Sequence, residues 1–282
     1  MPGPSESKFA LFSCPVCGSD LEQIDRALQC PKRHSFDLAK SGYVNLLIAR
    51  GRPLSEGGDT ALQLTHRDAF LAKGHFESIA DTIAKSLPIR PGGCAILDAG
   101  CGSAHHLRRV AERLAAAGHD PACSGIDISK DAASHAARRN PEMAFAVADI
   151  WQKWPVRNAC ADLVLSIFAP KNFPEAARVL RPDGMLAVAY PGPDHLIELR
   201  QAFGLLDQRE GKQAEYAAAM EQHLDKPVHR HLRSQVQLDH DDIRNAILMG
   251  PNARKTAADS LGPLAARPVT IDIELLIARK PR

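Results

Sequence analysis

The chain has 282 residues, 45% hydrophobic and 24% charged, and its 35 Lys and Arg against 33 Asp and Glu give a formal charge of +2. At roughly 150 residues per domain this is a chain of about two domains, and the composition excludes a disordered polymer, a fibre or a mini-protein held by disulfides. A charge so near zero does not mark a nucleic-acid binder, so partners must be argued from local sites.

No run of 18 apolar residues occurs, and no basic start leads into a long apolar stretch, so a cytoplasmic protein without a membrane partner is expected. Seven cysteines spread along the chain do not resemble a secreted disulfide scaffold. Three of them fall between residues 14 and 30, and the others, Cys94, Cys101, Cys123 and Cys160, are expected as small buried or half-buried side chains.

Residues 1–45 hold Cys14-Pro15-Val16-Cys17, a twelve-residue spacer, and Cys30-Pro31-Lys32-Arg33-His34. Two turns joined by a short hairpin can gather three thiolates and one imidazole around one structural Zn2+, with Cys14, Cys17, Cys30 and His34 as ligands. Unrelated thiols or a redox pair are the plainer alternatives. A segment this small has little core, so metal binding would supply much of its folding free energy. Lys32, Arg33, Lys40, Arg50 and Arg52 suit a phosphate-binding face, although Asp20, Glu22, Asp25 and Asp37 among them suit a merely solvated surface as well.

Residues 46–90 open as a loop around Arg50–Asp59. Ala69, Phe70, Phe76, Ile79, Ile83 and Leu87 then recur at helical spacing, which predicts one or two linking helices ending near Pro88. From residue 91 to 282 the pattern alternates. Strands are predicted at 95–98, 123–128, 143–149, 161–168 and 185–190, with helices at 105–117, 131–139 and a short one at 173–180 stopped by Pro182 and Gly184. After Pro191 a helix at 196–206, a strand at 233–238, a helix at 241–249 and a long alternating strand at 268–277 follow. The fold class expected is α/β: a Rossmann-like, mostly parallel seven-stranded sheet with helices on both faces and an antiparallel edge, preceded by a small zinc-ribbon-like module.

Leu97-Asp98-Ala99-Gly100-Cys101-Gly102-Ser103 ends the first sheet strand and opens the first helix. Gly100 and Gly102 allow a tight turn and a close approach of backbone to a ligand. A dinucleotide site would have a third glycine where this chain has His105. S-adenosylmethionine carries a sulfonium and an ammonium but no phosphate, and three acids at successive strand ends suit it. Asp98 with Gly100 would meet the methionine end, Asp127 the ribose hydroxyls, and Asp149 the adenine amino group. Asp127 and Asp149 have the alternative of capping local backbone. The loop Phe168-Ala169-Pro170 lies where a target base would enter, and Phe168 and Pro170 are expected to shape its pocket, Phe168 by stacking. A plain strand-to-helix loop is the other reading.

The same residues resemble a known family, that of the large-subunit ribosomal RNA guanine-N1-methyltransferases. The likeness rests on the Cys/His cluster with Phe36-Asp37, Lys40-Ser41-Gly42-Tyr43-Val44-Asn45-Leu46-Leu47, Gly58-Asp59, Arg67 to Phe76, the Asp98 loop, Phe168-Ala169-Pro170 and Pro191-Gly192-Pro193-Asp194-His195-Leu196. It covers almost the whole chain. It implies methylation of guanine N1 in a domain II hairpin of 23S ribosomal RNA, at the peptide exit tunnel. It further implies cofactor contacts at Phe76, His106, Leu107 and His195, and it permits a homodimer. Met249-Gly250-Pro251-Asn252-Ala253-Arg254-Lys255 resembles the Gram-positive and tylosin-resistance branch, with Lys255 where that branch often has histidine.

Residues 223–255 add Lys226, Arg230, Arg233, Arg244, Arg254 and Lys255 with four histidines, an excess able to line an RNA cleft with the zinc module. Two other readings compete: a Rossmann-like methyltransferase acting on a small molecule or protein, and a non-enzymatic RNA-binding module that would leave the three strand-end acids without a role.

Overall fold

The computed structural model describes residues 7–48, 58–88, 93–209, 211–250, 253 and 264–282. Three short strands, β1 (Glu22–Ile24), β2 (Ala27–Gln29) and β3 (Ser35–Asp37), form an antiparallel sheet that joins the two cysteine turns. β4 (Val44–Asn45) then leaves this ribbon and pairs in parallel with β7 (Ala144–Val147) of the main sheet.

The linking segment forms two helices, α1 (Ala61–Leu71) and α2 (Glu77–Ser86). Thr60 and Gln63 make reciprocal caps at the start of α1, and the chain breaks between the helices at Gly74, whose φ is +81°. α2 is clamped to α3 (His105–Ala116): Arg109 forks onto both oxygens of Glu77 at 2.7 Å, and Arg113 reaches Asp81 at 2.6 Å.

The alternating part continues with β5 (Gly93–Ala99), β6 (Asp120–Asp127), α4 (Lys130–Arg139), β8 (Ala161–Ile167), α5 (Phe173–Val179) and β9 (Leu180–Pro191), and ends with α6 (Ile197–Phe203), α7 (Lys212–Glu221), β10 (Val228–Leu238), α8 (His240–Leu248) and β11 (Arg267–Arg279). The sheet order is β10-β11-β9-β8-β5-β6-β7-β4. From β4 to β9 all pairings are parallel, and β11 and β10 form the antiparallel edge. The seven strands expected from the alternating pattern are thus joined by an eighth from the N-terminal module.

Three elements differ from expectation for identifiable reasons. Pro182 and Gly184 do not interrupt the chain between helix and strand but lie inside β9, where Leu180 pairs with Ala161 and the register then shifts before Met185 meets Leu163. Asp183, with φ of +63°, absorbs that irregularity. α7 has one fully buried residue, Met220, so it lacks an apolar stripe to read. β10 starts five residues earlier than predicted because most of its side chains are exposed and its polarity does not alternate.

Among the described residues, buried apolar side chains gather on the two faces of the sheet. One face carries Phe70, Phe76, Ile79, Leu107, Val110 and Ile243 from α1, α2, α3 and α8. The other carries α5 and α7 together with Phe9, Phe12, Cys14 and Leu28 of the ribbon, packed near Ala146, Trp154 and Val156. Backbone bonds between residues 11–13 and 155–157 fasten the ribbon there. Cys94, Cys101 and Cys123 are buried and Cys160 is half-buried. No helix among the described residues is long and apolar enough to cross a membrane.

β6 passes closest to its neighbours at Gly125, where a Cβ would lie 2.8 Å from Cys101 Sγ and 2.9 Å from Phe145 Cδ1. Gly125→Ala should therefore lower unfolding stability by about 1–3 kcal/mol through overpacking. Denaturant titration is the check, and a Cys101→Ala change in the same chain should recover part of the loss.

Candidate active site

The site begins at the carboxyl end of β5. The carbonyl of Ile126, at the end of β6, accepts from the amides of both Gly100 and Cys101, at 2.8 and 3.1 Å. Gly100 has φ of +85°, and a Cβ there would come within 2.4 Å of Ala169 Cβ, so this position is closed to any larger residue. Asp127 accepts from the Gly102 amide with one oxygen and from the Ser129 amide with the other, both at 2.9 Å. The backbone-capping role considered for Asp127 is therefore present, and each carboxylate oxygen keeps a further lone pair for a ligand. Asp149 likewise accepts from the Trp151 amide at 2.9 Å.

Asp98 is different. It is buried, and its Oδ1 has no hydrogen-bond partner among the described residues. Burial, with the charge of Asp127 as the second cause, pushes its carboxyl up to about 8. An unpartnered buried carboxyl beside a glycine turn fits a cationic ligand, which would restore the ionised form. The donor set of S-adenosylmethionine thus finds compatible groups here: an acid for a cation, two strand-end carboxylates, and a turn with no side chains in the way.

Four rings from four separate segments meet next to this turn. Phe76 from the N-terminal edge of α2 lies 5.4 Å from Phe168, 5.7 Å from His195 and 6.3 Å, stacked, from His106. His106 and Phe168 are 5.8 Å apart, and Phe168 and His195 6.3 Å. Burial holds His106 down to about 3, with the charges of His105 and Arg67 adding to it, and holds His195 down to about 4 against the opposing charge of Asp272. Both imidazoles are neutral at physiological pH. His195 Nδ1 accepts from the Asp272 amide at 3.2 Å, which places the ring proton on Nε2. Leu107 points into the core and is fully buried, so it can offer a ligand its backbone rather than its side chain.

Phe168 has φ of +53° and is partly exposed, and Pro170 is exposed. The loop is held from within: Ser166 Oγ donates to the Pro170 carbonyl at 3.3 Å, Lys171 Nζ donates to the Ala169 carbonyl, and Asn172 caps α5 while donating to the Ile150 carbonyl at 2.8 Å. Lys171, Tyr190 and Tyr216 belong to this neighbourhood and were not legible in the sequence, since a single lysine after a proline and two distant tyrosines form no spacing pattern.

In the N-terminal ribbon the four predicted ligands converge. Cys17 Sγ and Cys30 Sγ are 3.7 Å apart, and His34 Nδ1 lies 3.5 Å from Cys14 Sγ and 3.3 Å from Cys30 Sγ. A tetrahedral ion with metal–sulfur bonds of about 2.3 Å and metal–nitrogen bonds of about 2.0 Å demands separations of about 3.8 and 3.5 Å, so the donors fit one metal. The turns are built by the amide of Gly18 on the Cys14 carbonyl and that of Arg33 on the Cys30 carbonyl, both 2.8 Å. Between this knuckle and the Asp149–Trp151 turn lies an open cleft of about 1150 Å³, with Val16, Ile48 and Trp151 exposed along it.

Lys32, Arg33 and Lys40 are exposed, whereas Arg50 and Arg52 lie outside the described residues. In the later basic stretch several groups are already paired: Arg233 with Asp194 at 2.5 Å, His231 with Asp272 at 2.5 Å, and His229 with Glu274. Pro251, Asn252, Arg254 and Lys255 of the branch motif fall outside the described residues, but its first two residues are tied to α1, by Arg67 on the Met249 carbonyl and Gln63 on the Gly250 carbonyl.

Comparison with known proteins agrees with this architecture. Residues 12–51 match the zinc-ribbon family described as RlmA, N-terminal, and residues 96–184 match a methyltransferase-domain family. The chain is 36% identical to the 23S rRNA (guanine(748)-N(1))-methyltransferase of Streptomyces fradiae, over 94% of this chain and 95% of that protein. It is 32% identical to YxjB of Bacillus subtilis, assigned to the 23S rRNA (guanine-N(1)-)-methyltransferases, over 96% of this chain and 98% of that one. In fold it resembles a phosphoethanolamine N-methyltransferase from Haemonchus contortus solved with S-adenosyl-L-methionine, with a TM-score of 0.50 and 15% identity over 83% of this chain and 62% of that one.

The Asp98 carboxyl has a consequence in the ligand-free protein. Because its folded value lies above the unfolded one, the folded state binds the extra proton between about pH 4 and 8, and stability falls as pH rises through that window. Asp98→Asn removes the penalty. The variant should be more stable than wild type near pH 8, by about 1–3 kcal/mol, and equal to it near pH 4, as read by denaturant titration at the two pH values.

Proposed function

The chain belongs to the 23S rRNA guanine-N1-methyltransferase family, and from that membership we infer that it transfers a methyl group from S-adenosyl-L-methionine to N1 of a guanosine in 23S ribosomal RNA. The observation that carries this reading is the match from end to end, ribbon and methyltransferase domain together, to a protein of that activity. A small-molecule or protein methyltransferase would share the second part alone.

When bound, S-adenosylmethionine supplies an electrophilic methyl group on a sulfonium. Asp98, ionised by a cationic ligand, holds the methionine end with Gly100 and Gly102. Asp127 accepts from the ribose hydroxyls with the lone pairs left after its two backbone bonds, and Asp149 meets the adenine edge. Phe76, His106 and His195 enclose the site with neutral rings, which favour a sulfonium through their π faces without a competing charge, and Leu107 contributes backbone. Phe168 stacks on the target guanine and Pro170 walls its pocket. The base must be unpaired or flipped for N1 to reach the methyl group.

The Cys14, Cys17, Cys30 and His34 site holds one structural Zn2+. It belongs to a zinc-binding RNA-recognition module of residues 1–45, followed by a linker of residues 46–90 that contributes Phe76 and the methyltransferase domain of residues 91–282. The exposed Lys32, Arg33 and Lys40 contact phosphates of a domain II hairpin, a homodimer presents two such modules, and the protein works in the cytoplasm. Methylation in this hairpin affects sensitivity to macrolides such as tylosin.

Radiolabelled methyl transfer to unmodified 23S ribosomal RNA, followed by primer extension, tests the activity: a stop at one guanosine in the hairpin is expected, because N1 methylation blocks the pairing edge. No label on RNA, with label on a protein or small molecule in a lysate, would reverse it. Metal analysis should return one zinc per chain. Its removal by a chelator should cut RNA binding by at least about tenfold while cofactor affinity, measured by calorimetry, stays within about threefold.

A further inference from the structure

The chemistry leaves one group unassigned. Guanine N1 carries a proton that must depart as the methyl group arrives, and the residues placed above are otherwise committed: His106 and His195 are too weakly basic, and Asp98, Asp127 and Asp149 are assigned to the cofactor's methionine, ribose and adenine parts. We propose that Lys171 accepts the N1 proton of the target guanine, a role that rests on the guanine-N1 reading above and deepens it.

The loop after β8 carries the argument. It starts with Phe168, turned by its positive φ toward Phe76 and His195, passes Ala169 against Gly100, and reaches Lys171 two residues later. Lys171 is half-buried. Its Nζ donates to the Ala169 carbonyl and lies 5.8 Å from the centre of the Tyr216 ring of α7, with no carboxylate paired to it among the described residues. Tyr216 packs edge-on against Tyr190 of β9 at 5.1 Å, and the buried Tyr190 hydroxyl has no hydrogen-bond partner among the described residues.

The charged and titratable groups around Lys171 favour its neutral form. Lys212 of α7 adds positive charge, Glu175 of α5 is bound to Arg178, and Glu274 of β11 lies behind Tyr190 and is bonded to His229. Burial, with Lys212 as the second cause, brings the Lys171 amine down to about 7, so a large share of it is free base at neutral pH. The balance is complete: N1 bonds to the methyl carbon, the carbon–sulfur bond breaks, the N1 proton passes to Nζ, and the positive charge of the sulfonium ends on the ammonium. Solvent then removes the proton.

The test is single-turnover methyl transfer to an unmodified 23S ribosomal RNA transcript from about pH 5.5 to 9, at saturating RNA and S-adenosylmethionine, with both affinities measured separately. The wild-type rate should rise tenfold per pH unit and level off near pH 7. Lys171→Gln should lose about 100-fold or more with both affinities within about threefold, and its rate should keep rising to the alkaline end. Lys171→Arg keeps the cation and the bond to the Ala169 carbonyl but cannot give up a proton, and should be as slow. A Lys171→Arg protein with wild-type rate and profile would show that the side chain only straps the loop, and would overturn the proposal. A wild-type rate that is flat across the series, or that climbs without levelling, would overturn it without recourse to any variant. Absence of N1-methylguanosine from wild type at every pH would instead remove the parent reading.

Discussion

The doubly used carbonyl of Ile126 is the constraint on which this site depends. Two successive amides, of Gly100 and Cys101, converge on it, and the next, of Gly102, is taken by Asp127 at the end of the same strand. The turn after β5 is thus fixed to β6 rather than free at the sheet edge. Everything else is placed by contact with that turn. Ala169 can approach because Gly100 has no side chain, Cys101 can fold back because Gly125 has none, and α3 starts where the turn ends. Moving any of these by an ångström would shift the rings that surround the site.

Charge is managed in the same region by keeping groups neutral rather than by pairing them. Asp98 is held protonated and His106 and His195 unprotonated, so these three buried groups carry no charge in the ligand-free crevice. Burying an unpaired ion would be costly, and protonation states shift to avoid it. A cationic ligand reverses the state of Asp98 alone, while the imidazoles stay as they are. A cation in this crevice would therefore be favoured by one carboxyl, whose Oδ1 has no partner among the described residues.

Much of this was legible in the sequence because the signals were local. The cysteine and histidine spacing, the acids at successive strand ends and the alternation of β5 to β9 each follow from short-range periodicity or from turn chemistry, and the structure gathers the four Cys and His donors and sets Asp98 near Asp127. Phe76, His106 and His195 were singled out through likeness to a family and Phe168 through its place after a strand; that the four rings meet follows from no spacing, since they span 120 residues of chain. Contacts set by packing left no trace. Examples are β4 at the sheet edge, the poorly amphipathic α7, the exposed first half of β10 and the Lys171, Tyr190 and Tyr216 neighbourhood.

β4 carries a consequence for the order of assembly. Its partner, β7, lies about a hundred residues later in the chain, and β7 itself needs β6 to pair with. During synthesis the ribbon leaves the ribosome first, yet the place it docks against does not exist until the nucleus of β5, β6 and β7 has formed. Such a contact of long sequence separation is slow to close. In that interval an N-terminal segment with Phe9, Phe12 and Leu28, all destined for burial, would be exposed to misassociation unless it held its own shape. The four donors between residues 14 and 34 are made before the rest of the chain, so a metal ion bound by them would serve as a local clasp during the wait.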